Sequence, residues 1–247
     1  MINEEKLSIT ITVLYNNVPT DTNLTTAWGM SCLIEGPGKT ILFDTGGQGH
    51  ILLDNMTRLG QDPGLIQAVV LSHIHGDHTG GLGDFLAVAD EVEIYVPASF
   101  LGEFKRQVQQ LGHQVIDVNR PIQIVPGVFS TGEMGREIKE QALVVQTKSG
   151  LVVITGCAHP GIVDMVRRAR EVVPGDLYLV MGGFHLTGFS PAAVQEVISG
   201  LKRLGVQKVG PSHCTGPAAM EMFRQAWGDD FLDLGCGGQV RIPVLTE

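Results

Sequence analysis

Apolar and polar positions alternate over residues 7–15, with Leu7, Ile9, Ile11 and Val13 on one face, and this predicts a β-strand. Apolar runs over 30–35 and 40–43 flank the turn Gly36-Pro37-Gly38 and predict a β-hairpin. Helical spacing then takes over at Leu52, Met56 and Leu59 and stops at Gly60. A short run over 67–71, rich in β-branched residues, predicts a buried strand. Helices over 82–89 and 99–111 alternate with strands over 92–96 and 115–118, a βα rhythm. The rhythm changes at Ile122, where strands are predicted over 122–129, 142–147 and 151–155. Between the first two, the charged and glycine-punctuated stretch 130–140 reads as a loop of a length that often carries function. Its Arg136 and Lys139 read as solvated surface charges, with contact to a substrate anion as the alternative. The βα pattern returns with helices over 161–171, 191–204 and 217–227 and strands over 177–181 and 207–210. Two closing strands are predicted over 231–234 and 239–242. The order of strand-rich and βα segments repeats, which suggests two similar halves.

One stretch breaks the alternation of simple elements. After the strand over 67–71 comes Ser72-His73-Ile74-His75-Gly76-Asp77-His78-Thr79-Gly80-Gly81. His73 and His75 share a face in an extended segment. Gly76 permits a bend that turns Asp77 and His78 towards a neighbouring point. The His-x-His pair suits one metal ion and the Asp-His pair a second, since imidazole and carboxylate ligate zinc, iron or manganese. A polar loop merely rich in histidine has no need of that spacing. His50 reads as a helix-start residue, and His113, just after a helix-stopping glycine, is expected to be exposed; neither is expected to serve the site.

Composition narrows the picture. The 247 residues suffice for a large core and fit one domain over 1–247. A formal net charge of −9 argues against nucleic acid as the main partner. Small anionic substrates remain compatible, because bound metal ions reverse the local field. No apolar run approaches the ~20 residues of a membrane span, and the opening hexapeptide lacks the basic start of a signal peptide. A cytoplasmic location without membrane contact is expected. Cys32, Cys157, Cys214 and Cys236 are scattered, which argues against a disulfide framework or an iron–sulfur cluster.

His73, His75, Asp77 and His78 complete the His-x-His-x-Asp-His signature, and the chain resembles the metallo-β-lactamase superfamily over nearly its whole length. The resemblance implies an α/β (α+β) fold, a four-layer αββα sandwich with metals at the rim between two sheets. Asp44, closing a strand before Thr45-Gly46-Gly47, matches the family's first motif. Its implied role is to accept a ligand histidine's free ring N–H; capping the next helix is the alternative. Gly156-Cys157 occupies a landmark whose acid or thiol reaches the metals in the family. His159, two residues on, can face the same side. Around Glu140-Gln141-Ala142 the chain lacks the histidine that most members carry. His159 is expected to replace it as a ligand, against a buried structural histidine as the alternative. Cys157 is divided between a metal ligand and a small core residue. His213 matches the last ligand, and Cys214 is expected to turn into the core. His185, after a strand and two glycines, reads as a general acid, a phosphate contact or a further ligand.

Gly156 to Ile162, Gly182 to Leu186 and Pro211 to Gly216 resemble a prokaryotic subgroup. That subgroup includes an archaeal pterin-pathway enzyme which joins a pterin-methyl diphosphate to an aromatic amine. The resemblance implies a hydrolase or diphosphate-eliminating transferase acting on a small phosphorylated, pterin-like substrate. Two divalent metal ions are implied, zinc first, with iron or manganese as alternatives. Asp77 and His185 are the expected catalytic groups. An iron-dependent redox enzyme or thiol oxygenase and a non-catalytic metal-binding sensor are the competing readings.

Overall fold

The computed structural model describes residues 8–36 and 38–244. Leu7, the turn residue Pro37 and the opening hexapeptide lie outside them. The first half opens with strands β1 (Ser8–Asn16), β2 (Met30–Glu35) and β3 (Ile41–Phe43), paired antiparallel in sequence. Helix α1 (Gly49–Arg58) leads to strand β4 (Ala68–Val70), which pairs parallel to β3. Helices α2 (Gly76–Thr79) and α3 (Leu82–Leu86) precede β5 (Glu93–Pro97), and α4 (Gly102–Gln110) precedes β6 (Gln114–Val118). The second half repeats the scheme. Strands β7 (Ile122–Val125), β8 (Val128–Ser130), β9 (Leu143–Thr147) and β10 (Gly150–Thr155) form an antiparallel meander. Helix α5 (Ile162–Val172) crosses to β11 (Leu177–Gly183), and α6 (Pro191–Arg203) crosses to β12 (Lys208–Ser212), both strands joining parallel. Helix α7 (Pro217–Trp227) follows, and β13 (Gln239–Pro243) returns to the first sheet beside β1.

The sheet orders are therefore β13-β1-β2-β3-β4-β5-β6 and β12-β11-β10-β9-β8-β7. Side-chain alternation decides what each face buries. Ile41, Phe43 and Val70 of the first sheet meet Val145, Val152, Ile154 and Met181 of the second in a shared core. Leu42 and Val69 point the other way, onto Leu52, Met56 and Phe85 of the flanking helices. Val153, Val180 and Val209 pack outward on Met165, Ile198 and Phe223. The four layers are helix, sheet, sheet, helix, as expected. Among the described residues no helix is long and apolar enough to cross a membrane.

The differences from expectation have local causes. The predicted strand over 122–129 is a hairpin, because Pro126-Gly127 turns the chain and Gly127 takes φ +78°. Residues 231–234 make a single bridge from Phe231 to Val209 instead of a strand. His113 is buried, not exposed: its Nδ1 accepts the Val92 N–H at 3.4 Å. His50 is exposed in the first turn of α1.

Two buried amides stitch the sheets together at one rim. Gln141 Nε2 donates to Leu71 O at 2.9 Å, and the Gln141 N–H donates to Ser72 O at 2.9 Å. Across the rim, Asn16 Nδ2 donates to Ser212 Oγ at 3.1 Å. The ends of β3, β4, β10, β11 and β12 all arrive here. Phe184 anchors the β11 end, buried edge-on against Phe223 with ring centroids 5.4 Å apart. Phe184→Ala should cost about 3–5 kcal/mol of stability through the cavity it leaves. Urea unfolding would check this, with exposed Phe189→Ala expected to stay within ~0.5 kcal/mol of the parent. Equal losses in both would contradict the anchoring role.

Candidate metal centre

The rim gathers histidines from both sheets, and their ring nitrogens are sorted by what holds them. His78 is fully buried on α2, and its Nδ1–H donates to Asp44 Oδ2 at 2.7 Å. His73 Nδ1 lies 2.9 Å from Ser72 Oγ, which itself donates to Asp44 Oδ2 at 2.7 Å. His159 Nδ1 meets Glu140 Oε2 at 2.9 Å, and His213 Nδ1 meets Asn17 Oδ1 at 2.8 Å. With an oxygen at each Nδ1, these four imidazoles keep the proton there and leave the Nε2 lone pair free.

The freed donor atoms form two groups. His73, His75 and His159 bring three ring nitrogens within 4.8 Å of one another. Asp77, His78, Cys157 and His213 form the second group under the same limit. His73 Nε2 lies 3.1 Å from His75 Nδ1, and His78 Nε2 lies 3.2 Å from His213 Nε2. For zinc–nitrogen bonds of 2.0–2.1 Å, the edge of a tetrahedron is about 3.3 Å. Nitrogen, carboxylate and thiol donors at this spacing fit divalent ions such as zinc. The side-by-side groups are those expected for the His-x-His and Asp-His pairs. His159 stands with the first pair, on the site and not in the core. Cys157 also faces the site, with its Sγ 3.2 Å from His78 Nε2.

For His73 and His75 the electrostatics support the same neutral state, and His78 departs from it. Burial, with His78 beside it, holds the His73 imidazolium down at about 2, so the ring is neutral. Burial lowers His75 as well. Burial would raise the Asp77 carboxyl, but His213 and His78 outweigh it and hold it well below the usual range. For His78, burial works against the proton and Asp44 outweighs it, raising the imidazole.

Local backbone makes the convergence possible. The non-glycine residues with φ near +50° to +62° among those described are Asp44, Ala158, His185 and His213, and all four border the site. Gly156 is also required. A Cβ there would fall 2.1 Å from Ser72 Oγ and 3.0 Å from Asp44 Oδ2. Asp44 does not cap α1, whose N-cap is Gln48.

His185 is exposed at the open side, its ring 4.4 Å from that of His159. Trp28, 56% exposed, leans on the His213 ring with centroids 4.8 Å apart. Cys214 is buried as expected, yet it faces Cys157 and His185 at the site and not the remote core. Arg136 is exposed, and Lys139 Nζ donates to Gly135 O at 2.8 Å, closing its own loop.

A four-layer αββα fold with two donor groups at the rim between its sheets defines the metallo-β-lactamase class. The metallo-beta-lactamase superfamily model matches residues 29–177, and the chain belongs to that superfamily. It is 33% identical to the 7,8-dihydropterin-6-methyl-4-(β-D-ribofuranosyl)-aminobenzene-5′-phosphate synthase of Methanocaldococcus jannaschii, covering 85% of this chain and 88% of that one. It superposes on a solved metal-dependent hydrolase of the beta-lactamase superfamily with a TM-score of 0.79. Identity there is 28%, over 95% of this chain and 99% of that one. The fold protein YhfI from Bacillus subtilis superposes with a TM-score of 0.69 at 15% identity, covering 94% and 99%, a likeness of fold alone.

Sequence reasoning missed Glu140. It is fully buried in the region where the resemblance implied a histidine. Its carboxylate accepts the N–H groups of Cys157, Ala158 and His159 at 2.8–2.9 Å, besides the His159 ring. The available signal was a polar pair, Glu140-Gln141, directly before an apolar strand. Asn17 was missed as well, because nothing adjacent to it in sequence points to His213.

Burial alone would raise the Glu140 carboxyl, but His159, His73 and the amides of Ala158 and His159 hold it down at about 2 from an ordinary 4.5. A carboxylate depressed in the folded state stabilises above its unfolded pKa, and that contribution is lost as pH falls through the folded one. Metal-free protein should therefore lose stability between about pH 4.5 and about pH 2. Glu140→Gln should lie below the parent at pH 6 and show a flatter acid limb. Thermal melts across that range would check this, and parallel acid limbs would refute it.

Proposed function

We propose that the chain is a single metal-dependent catalytic domain that acts on a small phosphorylated molecule carrying a pterin-like ring. One ion would be held by His73, His75 and His159, and the other by Asp77, His78 and His213 with Cys157 reaching it. The observation that carries this reading is the anchoring of four Nδ1 atoms to Ser72, Asp44, Glu140 and Asn17. Such fixed tautomers have a use when the opposite lone pairs bind metal. Divalent ions there would neutralise a departing diphosphate in transfer to an amine, or make a water nucleophilic near neutral pH in hydrolysis.

The chain's own residues supply the rest. Asp77 keeps its negative charge and orients the nucleophile. His185, raised by its hydrogen-bonding neighbour Cys214 against its own burial, stands exposed where a leaving oxygen would emerge. It can grip that oxygen or give it a proton. Trp28 offers a flat apolar wall beside His213 to a planar ring. The M. jannaschii relative is named for a product containing both a dihydropterin and a phosphate. That supports the substrate class, and because the relative is a synthase we favour transfer over simple hydrolysis.

Metal analysis by mass spectrometry tests the ligand set. His75→Ala and His159→Ala should each lose about one ion per chain, while exposed His50→Ala keeps the full complement. Unchanged stoichiometry in His159→Ala would remove it from the set.

The chemistry is tested by diphosphate release from a pterin-methyl diphosphate supplied with an aromatic amine. Asp77→Asn should fall at least about 100-fold. His185→Ala should fall on the order of 100-fold with metal content retained. Oxygen uptake with a thiol by iron-loaded protein, without turnover of any phosphorylated compound, would replace this reading with the oxygenase one.

A further inference from the structure

Cys157 is the residue common to two donor groups among those described. Besides standing with Asp77, His78 and His213, it stands with His185 and Cys214, whose ligand atoms and its own lie within 4.8 Å of one another. Cys214 has no part in the two proposed ion sites.

The meeting of these thiols is built by the fold. Cys157 follows β10 and Cys214 follows β12, and β11 lies between those strands. The side chains reach each other because β11 ends in Gly182-Gly183. A Cβ on Gly183 would fall 2.7 Å from Cys214 Sγ and 3.1 Å from the Cys157 Cα. In that gap Cys214 Sγ donates to Cys157 O at 3.5 Å. Both cysteines are 5% exposed or less, while His185 opens the group to solvent. Cys32 and Cys236 are buried and free, outside this group.

We propose that Cys157 and Cys214 are a site of reversible oxidation, whose closure withdraws Cys157 from the second ion site. A peroxide is the oxidant. One thiolate sulfur attacks the O–O bond, takes a hydroxyl to become a sulfenic acid, and the other oxygen leaves as water. The second sulfur displaces that hydroxyl, forming the S–S bond and a second water. Two thiols and one hydrogen peroxide thus give one disulfide and two waters, with two electrons passing from sulfur to oxygen. A disulfide sulfur has no thiolate charge to offer a metal. The metal half of this proposal rests on the assignment of Cys157 in the preceding section, and the sulfur half does not.

Hydrogen peroxide treatment of metal-free and zinc-loaded protein tests both halves. Linked peptides are read by non-reducing mass spectrometry, and released zinc with a chromophoric chelator. Metal-free protein should form a Cys157–Cys214 peptide lighter by two hydrogens. Zinc-loaded protein should link more slowly, releasing about one zinc per chain, and dithiothreitol with added zinc should reverse both changes. Cys214→Ser and Cys214→Ala should form no link. Their peroxide-driven zinc loss should resist dithiothreitol, because a lone Cys157 climbs to the sulfinic acid. A second variant guards against a folding defect in either one. Absence of the link in metal-free wild type, or linkage to Cys32 or Cys236 instead, would overturn the proposal. Linkage without zinc release would overturn its coupling to the ion. Zinc failing to bind at all would instead strike at the enzyme reading, with the linked peptide still measurable.

Discussion

The Asp44 carboxyl has no exposed surface, burial pushes its pKa up against the pull of His78 and Ser72, and the site depends on how that group is met. Its oxygens accept the Ser72 N–H at 2.6 Å, the Ser72 hydroxyl at 2.7 Å and His78 Nδ1–H at 2.7 Å. A buried carboxylate needs such partners, and removing one side of such a pair typically costs several kcal/mol. The requirement runs both ways. It fixes the end of β3 against the end of β4, and through Ser72 it sets the tautomer of His73 along with that of His78. A single buried carboxyl thus orients one imidazole in each donor group.

Glu140 is its counterpart in the second half. It too is fully buried, accepts backbone N–H groups just beyond a strand end and holds one imidazole by Nδ1. Each half of the sandwich contributes one such carboxylate. Gln141 and Asn16 clamp the two halves on either side of the site. Distances between donor atoms from different sheets, such as His78 Nε2 to His213 Nε2, are therefore set by packing between sheets as much as by loop conformation.

What could be read in the sequence follows from this arrangement. His73, His75, Asp77 and His78 were legible together because their geometry is local: a strand, a glycine and one turn of helix. The layer order was legible because alternation in β3 and β10 differs so clearly from the spacing in α1 and α6. His159 could be assigned a direction, but its partner lies nineteen positions away across the β9–β10 hairpin. Glu140 and Asn17 act through contacts that no spacing encodes, and a search for a histidine at 140 hid the carboxylate that stands there. His113 misled for the same reason. A glycine before it marks a helix end, while the burial comes from a neighbouring strand. Cys214 was rightly turned inward, but only the glycine end of β11 reveals that inward there means towards Cys157.

The four left-handed residues around the site differ in how freely each could be replaced over evolutionary time. Aspartate and histidine are among the side chains that tolerate that region best, so positions 44, 185 and 213 reconcile backbone shape with chemical need. Ala158 has no such chemistry and no such tolerance; its side chain is merely small enough to fit. Position 158 is thus open to drift towards glycine with the site's geometry intact, whereas a larger or β-branched residue in this buried spot would disturb Cys157 and His159 together. Relatives sharing the same ligands can differ at 158 for reasons of backbone conformation alone.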